Sequence, residues 1–163
     1  MKSKQIFNIF ILIVVLSCNN INKHNQAYVN KDDNRNSLSF KAKLFYDQNK
    51  YAEAAMLFDS LIVSDSSSGE LYFKRGISHA MLLEKAKARE DFKKSIQYKY
   101  KMNHSYFNIG LSYSYENDSL ALKYFENCIA VDPNFSKAYI EIMDCKQRLN
   151  EARGKSRQSP TSK

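Results

Sequence analysis

Three histidines, three cysteines and four glycines carry most of the chemistry open to this 163-residue chain. His24, His79 and His104 lie far apart, and no cysteine or carboxylate joins them at metal-ligand spacing. Gly69, Gly76, Gly110 and Gly154 build neither a G-x-G-x-x-G turn nor a phosphate-cradling P-loop. Gly76-Ile77-Ser78-His79 lacks nucleophile-elbow spacing and falls inside a helical stretch, where the strained turn of that motif cannot form. The residues therefore assign no catalytic group, no metal and no cofactor, and the expectation is a protein that is not an enzyme. His79 reads as a core or half-buried histidine. Cys128 and Cys145 fall on successive helices, where they read as small apolar core residues; a disulfide in an oxidising compartment is the alternative.

Cys18 is different. Lys2 and Lys4 form a basic start, and Ile6 to Leu16 is an apolar run broken only by Asn8. Those 11 residues would span about 16 Å as helix, against roughly 30 Å of hydrocarbon, so the run reads as a secretory signal. Val15-Leu16-Ser17-Cys18 resembles a bacterial lipobox. The resemblance implies cleavage after Ser17, diacylglycerol on Cys18 and an acylated new N-terminus; a plain secretory signal and an uncleaved anchor are the alternatives. Residues 18–36 are Asn-, Lys- and Asp-rich and read as a flexible tether.

A repeat lies behind this leader. Ala42, Gly76 and Gly110 are spaced by 34 and 34; Ala54, Ala88 and Ala121 by 34 and 33; Phe58, Phe92 and Phe125 likewise by 34 and 33. The missing residue falls near Asn117-Asp118, where a turn tolerates deletion. Such a period calls for two antiparallel helices that approach closely where a small residue allows it, with aromatics filling the space to the next pair. Ala42 should then face Ala54, Gly76 face Ala88, and Gly110 face Ala121.

The pattern resembles the tetratricopeptide repeat, most fully in Tyr106, Ile109-Gly110, Tyr113, Ala121, Phe125 and Asp132-Pro133. The second copy carries Arg75 and His79 where the family has Leu and Tyr; the first is the most degenerate, with Leu38, Ala42, Phe45, Tyr51, Ala54 and Phe58. The resemblance covers about residues 37–150. It implies an all-α fold, a right-handed α-solenoid of three helix pairs (37–68, 69–102 and 103–135) plus a C-terminal capping helix. That cap is expected at 136–152 with Lys146, Gln147 and Arg148 on a polar outer face, followed by a disordered basic tail at 153–163.

In such arrays the first helix of each pair lines a concave face. The resemblance maps that face to Asn36, Ser39, Lys43 and Tyr46; Glu70, Phe73, Ile77 and Ala80; His104, Phe107, Leu111 and Ser114; and Ile140, Asp144 and Gln147. Phe73, Ile77, Phe107 and Leu111 should make its middle apolar, an exposed patch of the kind partners cover. The family's carboxylate clamp is absent: Ser39, Lys43, Lys74, His104 and Asn108 occupy its positions.

The net charge of +8 invites a nucleic-acid reading, but it is scattered. The signal carries +2, the tether +1, residues 36–147 only +1, and the stretch from Arg148 onward +4. Lys85, Lys87, Arg89, Lys93 and Lys94 read as a solvated convex face, with anionic lipid headgroups as the next candidate. The expectation is a lipid-anchored protein of the bacterial envelope, at the outer membrane, that captures a protein or peptide partner and binds neither nucleic acid nor metal. The alternative is an envelope-assembly factor, pilotin-like or part of an outer-membrane complex, with one obligate partner.

Overall fold

A computed structural model describes residues 33–158, with side chains through residue 155. Cys18, the signal sequence and most of the expected tether lie outside the described residues. The chain divides into two units, Met1–Phe40 and Lys41–Lys163. The described part of the first, 33–40, is helical and largely solvent-exposed. The tether was expected to run to 36; residues 33–36 instead belong to helix α1, residues 33–47.

The second unit continues α1 and adds α2 (Tyr51–Ser64), α3 (Gly69–Met81), α4 (Lys85–Gln97), α5 (Met102–Tyr113), α6 (Asp118–Val131) and α7 (Ser136–Gln158). From α2 onward each helix packs on its neighbours in sequence, as a solenoid of helix pairs requires. There is no strand among the described residues.

Local signals set the helix starts unevenly. Ser68 caps α3 by accepting from Leu71 N–H, and Asn117 caps α6 by accepting from Leu120 N–H at 3.0 Å. The turns carry more strain. Asn49, Leu83, Lys99 and Tyr115 adopt φ of 59°, 61°, 57° and 67°. At the first three, the next amide reaches back five residues: Lys50 to Phe45, Glu84 to His79, and Tyr100 to Ser95, all at 2.9 Å. This is the left-handed helix stop that glycine usually serves. No glycine here has positive φ.

The glycines are used in helix packing instead. A β-carbon on Gly110 would lie 2.5 Å from the Phe125 ring, and one on Gly76 would lie 3.0 Å from the Phe92 ring and 3.1 Å from Asp91 Cβ. The atoms nearest these glycines are thus the ring of the second helix and its neighbour, rather than the expected alanine. The physical reason is geometric: a flat ring needs the space of a missing methyl more than another methyl does. Ala42, Ala54, Ala88 and Ala121 are all fully buried, as are Phe58, Phe92 and Phe125.

Apolar clusters follow, two of them spanning the second and third pairs and the cap. One joins Phe73, Ala88, Phe92 and Ile109; the other joins Ala121, Phe125, Cys128, Ala138, Ile142 and Cys145. Tyr113 packs against both, stacked on Tyr124 at 5.8 Å. Cys128 and Cys145 are free, buried thiols, and burial pushes Cys128 up to about 11.

The second helix pair holds a buried polar network beside its apolar cluster. Arg75 donates Nε–H to Asp91 Oδ2 at 2.9 Å and Nη2–H to Oδ1 at 2.5 Å, with Asp91 only 3% exposed. Its Nη1 reaches Asp59 of α2 at 2.5 Å. His79 Nδ1 lies 2.5 Å from Glu84, and its Nε2 lies 3.8 Å from Asp91. The two departures from the family pattern in this copy, Arg75 and His79, therefore meet on one buried carboxylate.

The cap differs from expectation in length and face. Ala138, Ile142 and Cys145 bury against α6, but α7 runs to Gln158 rather than ending at 152. Gly154 does not stop it, because an exposed glycine costs a helix interior only about 1 kcal/mol. Tyr139, Ile140 and Met143 are 44%, 60% and 71% exposed, so the outer face is not uniformly polar. Arg148 also turns inward to pair with Asp118, donating at 2.9 and 2.6 Å.

Candidate functional site: the concave face

Helices α3, α5 and α7 place the mapped residues of the second unit in register, but with unequal exposure. Lys43 is exposed; Tyr46 is half-buried, edge-on to Phe58 at 6.2 Å, and burial raises its phenol. Phe73 is 8% exposed, edge-on to Phe92 and Tyr100 at 5.8 Å. The expectation of Phe73 as an open apolar anchor is corrected. The α4–α5 turn folds over it, with Tyr100 against its ring and Lys101 Nζ 5.3 Å from its centroid. Ile77 is half-buried in the same cluster.

The exposed apolar surface therefore moves toward the C-terminal half. Leu111 is 40% exposed and Ile140 60% exposed. Phe107 is half-buried, tilted on Phe125 at 5.6 Å and on Phe135 at 5.1 Å. Glu70 is occupied by Lys74 at 2.7 Å, Ser114 is buried, and Gln147 donates to Glu151 at 2.9 Å. Asp144 is exposed, and Ala80 is half-buried.

A cleft of about 450 Å³ opens beside this surface. His104, Phe107 and Asn108 of α5 form one wall; Asp132, Asn134, Phe135, Ser136 and Lys137, from the α6–α7 turn and the start of α7, form the other. Of these, the sequence reading singled out only His104 and Phe107 as groove residues. The α6–α7 turn was missed because the concave face was read from helices alone. The Asp132-Pro133 turn signal was the only local pointer to it.

His104 has a defined hydrogen-bonding state. Asn103 Nδ2 donates to Asp132 Oδ2 at 2.9 Å, which leaves Asn103 Oδ1 to accept from the His104 amide and ring Nδ1–H, both at 2.9 Å. The ring therefore presents Nε2 outward as an acceptor. Desolvation, then the charge of Lys101, holds the imidazole below its ordinary pKa; Lys137 acts in the same sense and Asp132 opposes them.

Among the described residues, no three His, Cys, Asp or Glu side chains are arranged to hold a metal ion. None of the described helices is long and apolar enough to cross a membrane.

The fold is shared with tetratricopeptide-repeat domains of known structure. The first such domain of Spaghetti (RPAP3) bound to an HSP90 peptide superposes with a TM-score of 0.65 at 21% identity, over 71% of this chain and 93% of that one. MamA superposes at 0.67 and 24% identity, over 72% of this chain and 69% of that one. The Yersinia enterocolitica type III secretion chaperone SycD, in complex with a peptide of the translocator YopD, superposes at 0.66 and 14%, over 72% and 95%. No protein-family model and no curated protein matches the sequence.

Proposed function

We propose that this protein is a non-catalytic interaction module of the bacterial cell envelope. It would be anchored through lipid on Cys18 at the outer membrane, and it would capture a protein segment on the C-terminal half of its concave face. The observation that carries the capture is the cleft that opens between α5 and the start of α7, with Leu111 and Ile140 exposed on the same two helices. Apolar side chains held open beside a cleft cost solvation until a partner covers them. Two of the proteins sharing the fold are known in complex with peptides, which supports the same reading. The anchor rests on the lipobox-like Val15-Leu16-Ser17-Cys18 alone. Several acyl chains on one cysteine would hold the protein durably, since each buried CH₂ contributes about 0.8 kcal/mol.

The test of capture is affinity purification from detergent-solubilised membranes with mass spectrometry, comparing wild type with Leu111→Asp/Ile140→Asp. Both residues are exposed, so the variant should keep its thermal melt while losing the co-purified partner. Unchanged recovery by the folded variant refutes the concave face as the site. Many clients would mark an adaptor; a single complex would mark an assembly factor. Cys18→Ala followed by fractionation tests the anchor, which fails if the wild-type protein is already soluble.

A further inference from the structure

One edge of the solenoid exposes apolar side chains that the fold does not use. The α3–α4 turn presents Met81, Leu82 and Leu83 to solvent, and the α5–α6 turn presents Tyr115. Lys85, just after the first turn, pairs with Glu116 of the second at 2.5 Å, so the two turns lie side by side. Leu83 is 81% exposed at φ 61°, so neither packing nor backbone conformation favours a leucine there. The turn is nevertheless fixed. Leu82 N–H donates to Ser78 at 3.1 Å, Leu83 N–H to Ala80 at 3.0 Å, and Glu84 N–H to His79 at 2.9 Å. An apolar side chain held out at a strained position costs stability unless something covers it. These residues stand at turn tips and line no part of the cleft between α5 and α7.

Helix α7 leaves the body at the same edge. Arg148 lies 4.1 Å from the centre of the Tyr115 ring, and every residue from Asn150 to Lys155 is exposed. Beyond Arg148, whose charge Asp118 takes, the sequence sets Arg153, Lys155, Arg157 and Lys163 against Glu151, a net +3. The chain from Cys18 to Asp33 reaches at most about 50 Å when extended, against about 34 Å for the 23 residues of α7. A body anchored at Cys18 can therefore turn this edge to the bilayer. Granting that anchor, we propose that the edge docks against the surface of an anionic phospholipid bilayer. Leu82, Leu83 and Tyr115 enter the headgroup layer, where leucine gains burial and tyrosine keeps its hydroxyl wet. The basic end of α7 lies against the lipid phosphates, and the charges are complementary. The docking set excludes the cleft residues, so one molecule can dock and capture at once.

The test reconstitutes the purified full chain into vesicles of equal parts phosphatidylglycerol and phosphatidylcholine, or of phosphatidylcholine alone. An environment-sensitive fluorophore is placed at Leu83→Cys, Tyr115→Cys or Ser66→Cys. Cys128 and Cys145 are buried, and wild type labelled in parallel gives the background. Ser66 is exposed in the α2–α3 turn at the other edge, where Gly69 lies against Tyr100. On the mixed vesicles the labels at 83 and 115 should shift to the blue and be quenched by nitroxide lipids; the label at 66 should do neither. Leu82→Ser/Leu83→Gly should keep the thermal melt and lose the quenching at 115. Lys155→Gln/Arg157→Gln should lower the ratio of docked to free label about fivefold per cation, the scale of a basic residue at an anionic surface. Equal quenching at 66 and 83, quenching indifferent to the Leu82 and Leu83 changes, or equal quenching on phosphatidylcholine alone overturns the inference. A label shielded by a membrane-extract protein in detergent, and not reached by the nitroxides, overturns it in favour of a protein partner. The mass of the purified chain reads the lipid on Cys18 separately. A lipidated chain with an unquenched label at 83 fails this inference alone, and an unlipidated chain with a quenched label fails only the anchor.

Discussion

Arg75 ties α3 to α4 inside the second helix pair through a buried carboxylate. Asp91 sits on α4 at 3% exposure, and its carboxylate is satisfied by two guanidinium hydrogen bonds. Arg75→Leu, which restores the repeat-family residue, would leave that carboxylate buried with only His79 Nε2 nearby, at 3.8 Å. Breaking one side of such a pair costs about 3–5 kcal/mol, because the surviving charge loses its partner without regaining water. Asp59 adds little, since it is 58% exposed and an exposed ion pair contributes about 0.2–1 kcal/mol. Arg75→Leu/Asp91→Leu removes both charges and fills the space with apolar atoms, so it should cost under about 1 kcal/mol or be stabilising. Equilibrium urea unfolding of the four species, followed by helical circular dichroism, gives the coupling energy, expected above about 2 kcal/mol. A loss under about 1 kcal/mol for Arg75→Leu alone, or a double variant weaker than that single one, would show that Asp91 does not depend on the guanidinium.

Four further outcomes follow from the packing, the turns and the ionisable groups. Gly110→Ala should cost about 1–3 kcal/mol through overpacking, since its β-carbon meets the immobile Phe125 ring at 2.5 Å. Gly76→Ala, at 3.0 Å, should cost less; equal losses in thermal melts would contradict the difference in clearance. Leu83→Gly should raise stability by about 0.5–1 kcal/mol, because Leu83 is 81% exposed and held at φ 61°; a lower melting temperature would refute this. The Arg148 guanidinium holds the Asp118 carboxyl below the usual carboxylate range. The stability it confers is complete above the ordinary value near 3.9 and lost as pH falls through the lower folded value, so Arg148→Gln should flatten that part of an acid-unfolding profile. Cys128, pushed up to about 11 by burial, and Cys145, also raised by burial, should resist a thiol reagent at pH 7.5 until urea is added; failure of both to label even in urea would indicate a disulfide.

How much of this could be read from the chain alone varies from residue to residue. Ala42, Gly76 and Gly110, and likewise Phe58, Phe92 and Phe125, were legible as repeat positions because close helix approach demands one residue size at a fixed interval, but the rings that Gly76 and Gly110 meet were not, since alanines were expected there. Arg75 and His79 were visible as departures from the pattern, but their common partner was not. Asp91 lies among Lys85, Lys87, Arg89, Lys93 and Lys94, and only the packing of α3 and α4 buries it. Phe73 failed as a groove residue for a related reason. Its helical position aims it at the concave side, but the α4–α5 turn, carrying Tyr100 and Lys101, closes over the ring. The same limit hid Asp132, Asn134 and Lys137, which join the site only because the α6–α7 turn lies across from His104.

The sequence by itself determined the repeat period, the all-helical class, the number of helix pairs and the small–aromatic packing code. These depend on residue size and spacing along one chain, and such constraints are local or periodic. Tertiary structure alone decided which polar residues became a buried network, which aromatic rings stayed open, and where a cleft formed. Those depend on what lies opposite each side chain across a turn or a helix interface, and the interval between letters does not encode it.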